Sequence, residues 1–203
     1  MYLVGSATNT HYLQACEKIQ PPNSKSTFFD FLSVPKSFDL DIHRLEKNYW
    51  KKQRVIHPDK FGVKSSEEQE YSLQQAESLN VAYETLRKPV MRAQYMLSLV
   101  GIEIGEGSDS SDLPADVLFE VMETREELSL AHSDADIRTI AMKNNSSQQN
   151  AVQTISQAFQ QGDFAQARVA TQQLMFYSKI AELCREKLDS VEHRILDEDS
   201  GSK

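Results

Sequence analysis

The sequence predicts an all-α protein in two parts: an antiparallel helical hairpin with short flanking helices, then a three-helix bundle. Apolar residues recur three and four positions apart along several stretches of the 203-residue chain. Proline, glycine and capping residues interrupt these stretches at intervals that fit helices of ordinary length. After the first half of the chain, no stretch alternates polar and apolar residues as a strand would. The predicted limits are 1–25 for an N-terminal extension, 26–100 for the hairpin domain, 101–112 for a linker, 113–196 for the bundle and 197–203 for an acidic tail.

The first long helix of the hairpin is predicted after Asp41, which offers an N-cap. Its apolar face is expected to consist of Ile42, Leu45, Tyr49 and Ile56. A basic stripe on roughly the opposite side consists of Arg44, Lys47, Lys51 and Arg54. Proline lacks a backbone donor and disfavours a helical residue before it, so the helix should stop at His57-Pro58-Asp59. The result is a basic helix that leads into a stiffened loop.

The second helix of the hairpin begins after a predicted cap at Ser65, with Glu68 three residues later. Its buried positions are expected to be Ser72, Ala76, Leu79, Tyr83 and Leu86. The loop of about eight residues between the two helices is short enough to make them antiparallel. Pro89 ends this helix, and a further short helix follows over 92–99.

The bundle follows an acidic, glycine- and serine-rich linker at 105–112. Its first helix, after Pro114, repeats Val117, Val121 and Leu128. The second helix runs over 134–159, and the polar residues 144–147 interrupt its apolar face. Gly162 ends that helix and Asp163 caps the third, which includes Cys184 on its apolar face. The acidic residues after Leu196 are expected to be disordered.

Composition excludes several classes of protein. Residues 1–89 hold 12 basic and 11 acidic residues and 90–203 hold 10 and 19, so net charges of +1 and −9 give the total of −8. An acidic chain is a poor candidate for general nucleic-acid binding, which depends on neutralising phosphates. The two cysteines lie far apart, which excludes a disulfide framework or a cysteine-rich zinc site. No apolar run is long enough to span a membrane, and no ligand set suggests a cofactor or a bound metal.

His57-Pro58-Asp59 has two interpretations from the residues alone. Histidine and proline are ordinary residues at a helix end, and a tripeptide by itself is a weak motif. The context is more specific, because a basic helix precedes it, Lys60-Phe61 follow it, and the second helix contains the run NVAYETL at 80–86. This combination resembles the J-domain, by which co-chaperones stimulate the ATPase of 70-kDa heat-shock chaperones of the DnaK type.

Two further segments narrow the resemblance. The second helix continues as LRKP at 86–89 and RAQYML at 92–97, where generic J-domains carry an Asp-Pro and an Arg-x-x-Tyr-Asp. The bundle opens with FEVMETREEL at 119–128. In order and spacing these features resemble the HscB type, the dedicated J-type co-chaperone of iron–sulfur cluster assembly. The similarity extends from about Phe28 to about Leu188.

The resemblance implies two binding surfaces and no catalytic residues. The surface for the chaperone consists of His57, Pro58, Asp59, Tyr49, Lys51 and Arg54, with Arg44 and Lys47 on the same basic stripe. The surface for the iron–sulfur scaffold protein consists of Leu118, Phe119, Met122 and Glu123 on the first bundle helix and Phe176 on the last. We expect Leu118 and Met122 to share a face with Phe119 at its edge, although apolar residues on helices are also ordinary core positions.

The chain departs from the family pattern at three places. Glu46 stands where a basic residue is common, Val55-Ile56 replaces a frequent basic–aromatic pair, and the N-terminal zinc cysteines of some eukaryotic relatives are absent. The differences at Glu46 and Val55-Ile56 suggest a charge attraction that is either weaker or tuned to one chaperone. The N-terminal extension favours a mitochondrial matrix protein, although residues 1–25 are not rich in arginine as a presequence would be.

Two alternatives remain open. An enzyme would use His57 and Asp59 as an acid–base or metal pair, but such chemistry needs convergent ligands and the other histidines show no ligand spacing. A general J-protein would deliver unfolded clients to its chaperone. This chain lacks the Gly/Phe-rich linker and cysteine repeats that such proteins often carry.

Overall fold

The computed structural model describes residues 12–13, 18–19, 26–61, 64–105 and 113–200, with only the backbone described for 12–13, 18–19 and 191–200. The helices are α1 Phe28–Leu32, α2 Ile42–Ile56, α3 Ser66–Arg87, α4 Pro89–Ser98, α5 Ala115–Leu130, α6 Asp134–Gln161 and α7 Phe164–Ser200, with a 3-10 turn at Pro58–Phe61. Two strands of two residues, β1 Tyr12–Leu13 and β2 Lys18–Ile19, pair antiparallel. The predicted all-α class is confirmed, whereas this strand pair was not predicted.

The chain divides into two compact units, 1–92 and 93–203, at a point inside α4. This division falls eight residues before the predicted end of the hairpin domain at residue 100, and that limit stays a prediction. The predicted linker lies mostly in 106–112, outside the described residues, as does most of the predicted extension.

In the N-terminal unit, α2 and α3 form the predicted hairpin and α1 packs against both. Asp41 caps α2 by accepting from the Arg44 amide, and Ser65 and Glu68 form the predicted capping box of α3. The side chain of Asn48 donates to the carbonyls of Leu32 and Ser33, and so fixes α2 to the end of α1. The core is made of buried apolar side chains that include Phe29, Leu32, Leu45, Ile56, Phe61, Leu79 and Leu86.

The end of α3 is held by Arg92, a buried cation in the first turns of α4. Its Nη1 donates to the Leu86 carbonyl at 2.6 Å, and its guanidinium lies 4.9 Å from the centre of the Phe38 ring. Burial lowers the pKa of Arg92, and the nearby charge of Asp39 opposes that shift. The arginine therefore satisfies a carbonyl left open at the helix terminus.

In the C-terminal unit, α5, α6 and α7 form a bundle. Gly162 ends α6 in the left-handed conformation at φ 73°, and Asp163 accepts from the Gln166 amide at the start of α7. The core includes Ile137, Ile155, Ala158, Ala167, Leu174, Ile180 and Cys184, and Cys184 is a free, buried thiol as expected. The predicted glycine stop, aspartate cap and three-helix organisation are therefore confirmed.

Helix α6 is continuous, as predicted. Two local expectations are wrong. Ile42 is 38 % exposed, since it is the first residue of its helix and lies at the margin of the core. Helix α7 continues to Ser200, so 197–200 of the predicted disordered tail are helical, and 201–203 lie outside the described residues.

Candidate functional site: a His-Pro-Asp loop and an exposed apolar ridge

The His57-Pro58-Asp59 loop is anchored on both sides by buried residues. Ile56 and Phe61 are 4 % and 3 % exposed. Ser72 of α3 donates to the Ile56 carbonyl at 2.7 Å, and the Lys60 amide donates to the His57 carbonyl at 3.0 Å. The backbone of the loop is therefore fixed by groups other than its own functional side chains.

The side chains of His57 and Asp59 contact each other. His57 Nδ1 lies 3.4 Å from Asp59 Oδ2 and accepts a bond from the Asp59 amide at 3.3 Å. In the described part of the chain, no other hydrogen bond or ion pair involves either side chain. The Asp59 side chain is 89 % exposed. Both groups are thus held in place and left available to a partner.

The predicted basic stripe of α2 is exposed along its length: Arg44, Lys47, Lys51 and Arg54 all face solvent. None of the four forms an ion pair with another described residue. Lys52 behaves differently, because it is partly buried with its ammonium 5.6 Å from the Phe31 ring centre. Burial, and then the charge of Lys51, lower the pKa of Lys52. The stripe therefore presents uncompensated positive charge.

Tyr49 takes part in the packing of the hairpin. Its hydroxyl donates to Asn80 Oδ1 at 2.9 Å, and its ring stacks on Tyr83 with centres 4.2 Å apart. Sequence reasoning did not select its neighbour Trp50, which is 53 % exposed and meets the Tyr49 ring edge-on at 5.1 Å. Its spacing from Lys47 and Arg54, three and four residues, could have placed it on the basic face.

The residues predicted for scaffold binding differ in how far they are exposed to solvent. Phe119 and Met122 are 68 % and 70 % exposed and form a ridge along α5 together with the exposed Glu123. Leu118 and Phe176 are only partly exposed. Phe119 is therefore a main part of the exposed face rather than its edge, Leu118 lies at the partly buried margin, and the binding surface itself stays a prediction. Leu118 lies one turn before the buried Val121 and so turns towards the core.

A polar network connects the three bundle helices next to this ridge. Glu120 accepts from Ser147 at 2.9 Å and from the Tyr177 hydroxyl at 3.0 Å. The side chains of Asn144 and Gln148 both donate to the Tyr177 carbonyl, at 2.9 and 3.1 Å. Burial and the bond to Glu120 raise the pKa of Tyr177 to about 12. The polar stretch that interrupts the apolar face of α6 therefore bonds α6 to α7.

The described residues were also searched for a metal site and for a membrane-spanning helix. No group of three or more histidine, cysteine, aspartate or glutamate side chains there could hold a metal ion. None of the helices described is both long enough and apolar enough to cross a bilayer.

Comparison with known proteins agrees with this geometry. The DnaJ domain family matches residues 27–95, so the anchored His-Pro-Asp loop belongs to a J-domain protein. The HSCB C-terminal oligomerisation domain family matches 113–185. The iron–sulfur cluster co-chaperone protein HscB of Mus musculus is 35 % identical over 167 residues, which cover 82 % of this chain and 71 % of the relative. The protein of the same name from Homo sapiens is 33 % identical over the same shares.

The structural comparison extends the similarity over most of the chain. The crystal structure of human co-chaperone protein HscB superposes with a TM-score of 0.85 at 30 % identity, covering 92 % of this chain and 94 % of that one. The chain belongs to the HscB family of iron–sulfur cluster co-chaperones. Its relatives are named co-chaperones, a class that acts through other proteins' activity.

Proposed function

We propose that this protein binds an iron–sulfur cluster scaffold protein and delivers it to a 70-kDa heat-shock chaperone of the DnaK type. Its J-domain then stimulates ATP hydrolysis by the chaperone, which promotes transfer of the cluster to recipient proteins. The observation that carries this proposal is the loop at 57–59, where the side chains of His57 and Asp59 form hydrogen bonds or ion pairs with no described residue outside the loop. The proposed chaperone surface comprises His57, Pro58, Asp59, Tyr49, Lys51, Arg54, Arg44 and Lys47.

The basic stripe supports an acidic partner surface. Four exposed cations without described ion pairs attract an acidic surface over about 8–10 Å at physiological salt. Exposed charges at the edge of an interface mainly raise the rate of association and select against partners of like charge. The stripe ends at the loop, so an acidic partner bound along α2 would also contact Asp59.

The ridge on α5 supports a second, separate partner. Phe119 and Met122 expose apolar surface that the bundle could have buried, and such surface commonly marks a protein-binding site. The exposed Glu123 gives the ridge an acidic margin, which fits a scaffold surface with basic groups. The proposed scaffold surface comprises Leu118, Phe119, Met122, Glu123 and Phe176. We also propose that the protein acts in the mitochondrial matrix, which a fluorescent fusion imaged with a matrix marker would test.

The direct test is single-turnover ATP hydrolysis by the chaperone, measured with and without the scaffold. Asp59→Asn and His57→Gln should each abolish stimulation and leave helical circular dichroism and scaffold affinity unchanged. Lys64→Ala, an exposed change just beyond the loop, is the matched control and should stimulate normally. Normal stimulation by the loop variants, or loss of their helical signal, would reject the proposed role of the loop.

A second assay separates the scaffold-specific function from general client delivery. A general J-protein would suppress aggregation of a chemically denatured enzyme, whereas a dedicated co-chaperone would not. We expect no suppression, together with stronger ATPase stimulation when the scaffold is present. Suppression that is independent of Phe119 and Met122 would favour the general J-protein.

A further inference from the structure

Trp50 is the single tryptophan of the chain, and it lies on the exposed basic side of α2. Residues three and four apart on a helix are surface neighbours, so Lys47 and Arg54 border it on one side and Glu46 and Gln53 on the other. Trp50 is 53 % exposed. A large apolar ring therefore stands at the edge of the basic stripe, where cations outnumber carboxylates.

Only part of the Trp50 ring packs against other residues of the N-terminal unit. Trp50 meets Tyr49 edge-on at 5.1 Å, and Tyr49 is itself held by the Tyr83 ring and by Asn80. This contact supports the indole from one side and restricts its orientation, while about half of its surface stays in water. A rigid, partly exposed tryptophan meets the requirements of a binding anchor, because little rotamer entropy is lost when a partner covers it.

We propose that Trp50 is an apolar anchor of the chaperone-docking surface, inserting into a pocket on the chaperone that is bordered by acidic groups. The proposal rests on the proposed function, since it assigns a further residue to the same docking event. It also gives the anchor a role in selecting a chaperone. Cations alone attract any acidic surface, whereas an indole requires a cavity of matching size and shape.

The charges around the Trp50 ring indicate which partner protein covers it. Lys47 and Arg54 outnumber Glu46 around Trp50 and favour an acidic partner, whereas Glu123 and Glu126 outnumber Arg125 beside the α5 ridge and favour a basic one. The two surfaces differ in net charge, so we assign Trp50 to the chaperone and the α5 ridge to the scaffold. Tryptophan among cations also occurs on proteins that bind anionic membranes, and that possibility is made an outcome of the test.

Because the chain has one tryptophan, biosynthetic incorporation of fluorotryptophan gives a single fluorine NMR signal from this ring. The labelled full chain is titrated separately with the ATP-bound chaperone, with the scaffold, and with vesicles rich in anionic lipid. We expect the signal to shift with the chaperone alone. An unchanged signal with bound chaperone, or a shift with scaffold or vesicles, would overturn the assignment.

Affinity measurements separate the anchor from the charges. Trp50→Ala should weaken chaperone binding at least tenfold, with an unchanged dependence on salt. Lys51→Glu should weaken binding and also reduce that dependence. Leu73→Ala removes an apolar side chain of α3 that is 59 % exposed, and serves as the matched control with no expected effect. Scaffold affinity and circular dichroism verify that each variant is folded.

These outcomes distinguish the two proposals. If Lys51→Glu weakens binding and Trp50→Ala behaves like Leu73→Ala, the anchor is refuted and the docking surface remains. If neither variant changes affinity, the docking surface and its anchor are both refuted. A tenfold loss with Trp50→Ala, without an effect of Lys51→Glu, supports the anchor. It would indicate that apolar contact contributes more to docking than charge does.

Discussion

Truncating the ridge on α5 should remove scaffold binding while the bundle stays folded. The perturbation is the double change Phe119→Ala and Met122→Ala. These side chains are 68 % and 70 % exposed, so folding buries only about a third of each. Complete burial of such a side chain contributes about 1.5–3 kcal/mol, so the expected loss of unfolding free energy is about 1 kcal/mol for the pair. For a unit of this size that corresponds to a fall in Tm of about 4–8 °C.

The effect on binding should be larger than the effect on folding. A buried apolar anchor at a protein interface costs about 2 kcal/mol or more when truncated, which is about thirtyfold in Kd. The two residues lie one turn apart and share a partner surface, so their effects need not add. We therefore expect at least a thirtyfold loss of scaffold affinity by calorimetric titration, with chaperone stimulation by the free protein unchanged.

Two controls bracket the result. Met142→Ala on α6 removes a methionine that is 73 % exposed, so it should leave scaffold affinity unchanged and lower Tm by about half as much as the double change. Leu128→Ala removes a core side chain that is 5 % exposed, and should cost about 2–5 kcal/mol of stability. A double variant with a Tm as low as that of Leu128→Ala would show that the ridge belongs to the core. Unchanged scaffold affinity would place the scaffold surface elsewhere.

Three further predictions concern charge and the polar interior. Lys51→Glu should slow association with the chaperone more than Lys143→Glu in the bundle, and the difference should shrink as salt rises; equal effects in stopped-flow measurements would contradict the basic docking face. Arg92→Ala should cost about 2 kcal/mol in urea unfolding, because it leaves the Leu86 carbonyl without its charged donor, and an unchanged midpoint would show that burying the charge offsets the bond. The pKa of Tyr177 is raised from 10.0 to about 12, so its contribution to stability is complete below pH 10 and is lost as the pH rises towards 12. Tyr177→Phe should remove that component from a pH series of melting temperatures, and an identical series for both proteins would contradict it.

The elements that local chemistry specifies were predictable from the sequence. Ser65 and Glu68 define a helix start because both side chains satisfy backbone donors within one turn, and they do so in the structure. Gly162 and Asp163 define the α6–α7 turn for similar reasons. Each of these signals involves residues close together in the chain, so no knowledge of tertiary packing was needed.

The polar stretch of α6 shows where such reasoning fails. Asn144 interrupts the apolar spacing and so was not predicted as a core residue, yet it is 3 % exposed and donates to the Tyr177 carbonyl 33 residues away. A buried amide is compatible with a helix core when a partner satisfies it. That partner lies on another helix, so no pattern within α6 could have identified it. The same limitation applies to Phe119, whose exposure depends on how α5 is rotated against its neighbours.

Several of the residues proposed to bind partners have side chains that the fold leaves exposed, whereas periodicity identifies buried residues. Apolar spacing located Leu45, Ile56 and other residues that hold the helices together. Asp59 and Trp50 contribute little to that pattern, because each extends away from its core. Resemblance to the J-domain drew attention to Asp59, whereas the exposure of Trp50 drew attention to that residue. A variant that alters either side chain should therefore separate binding from folding, and this separation is what makes both assignments testable in the intact chain.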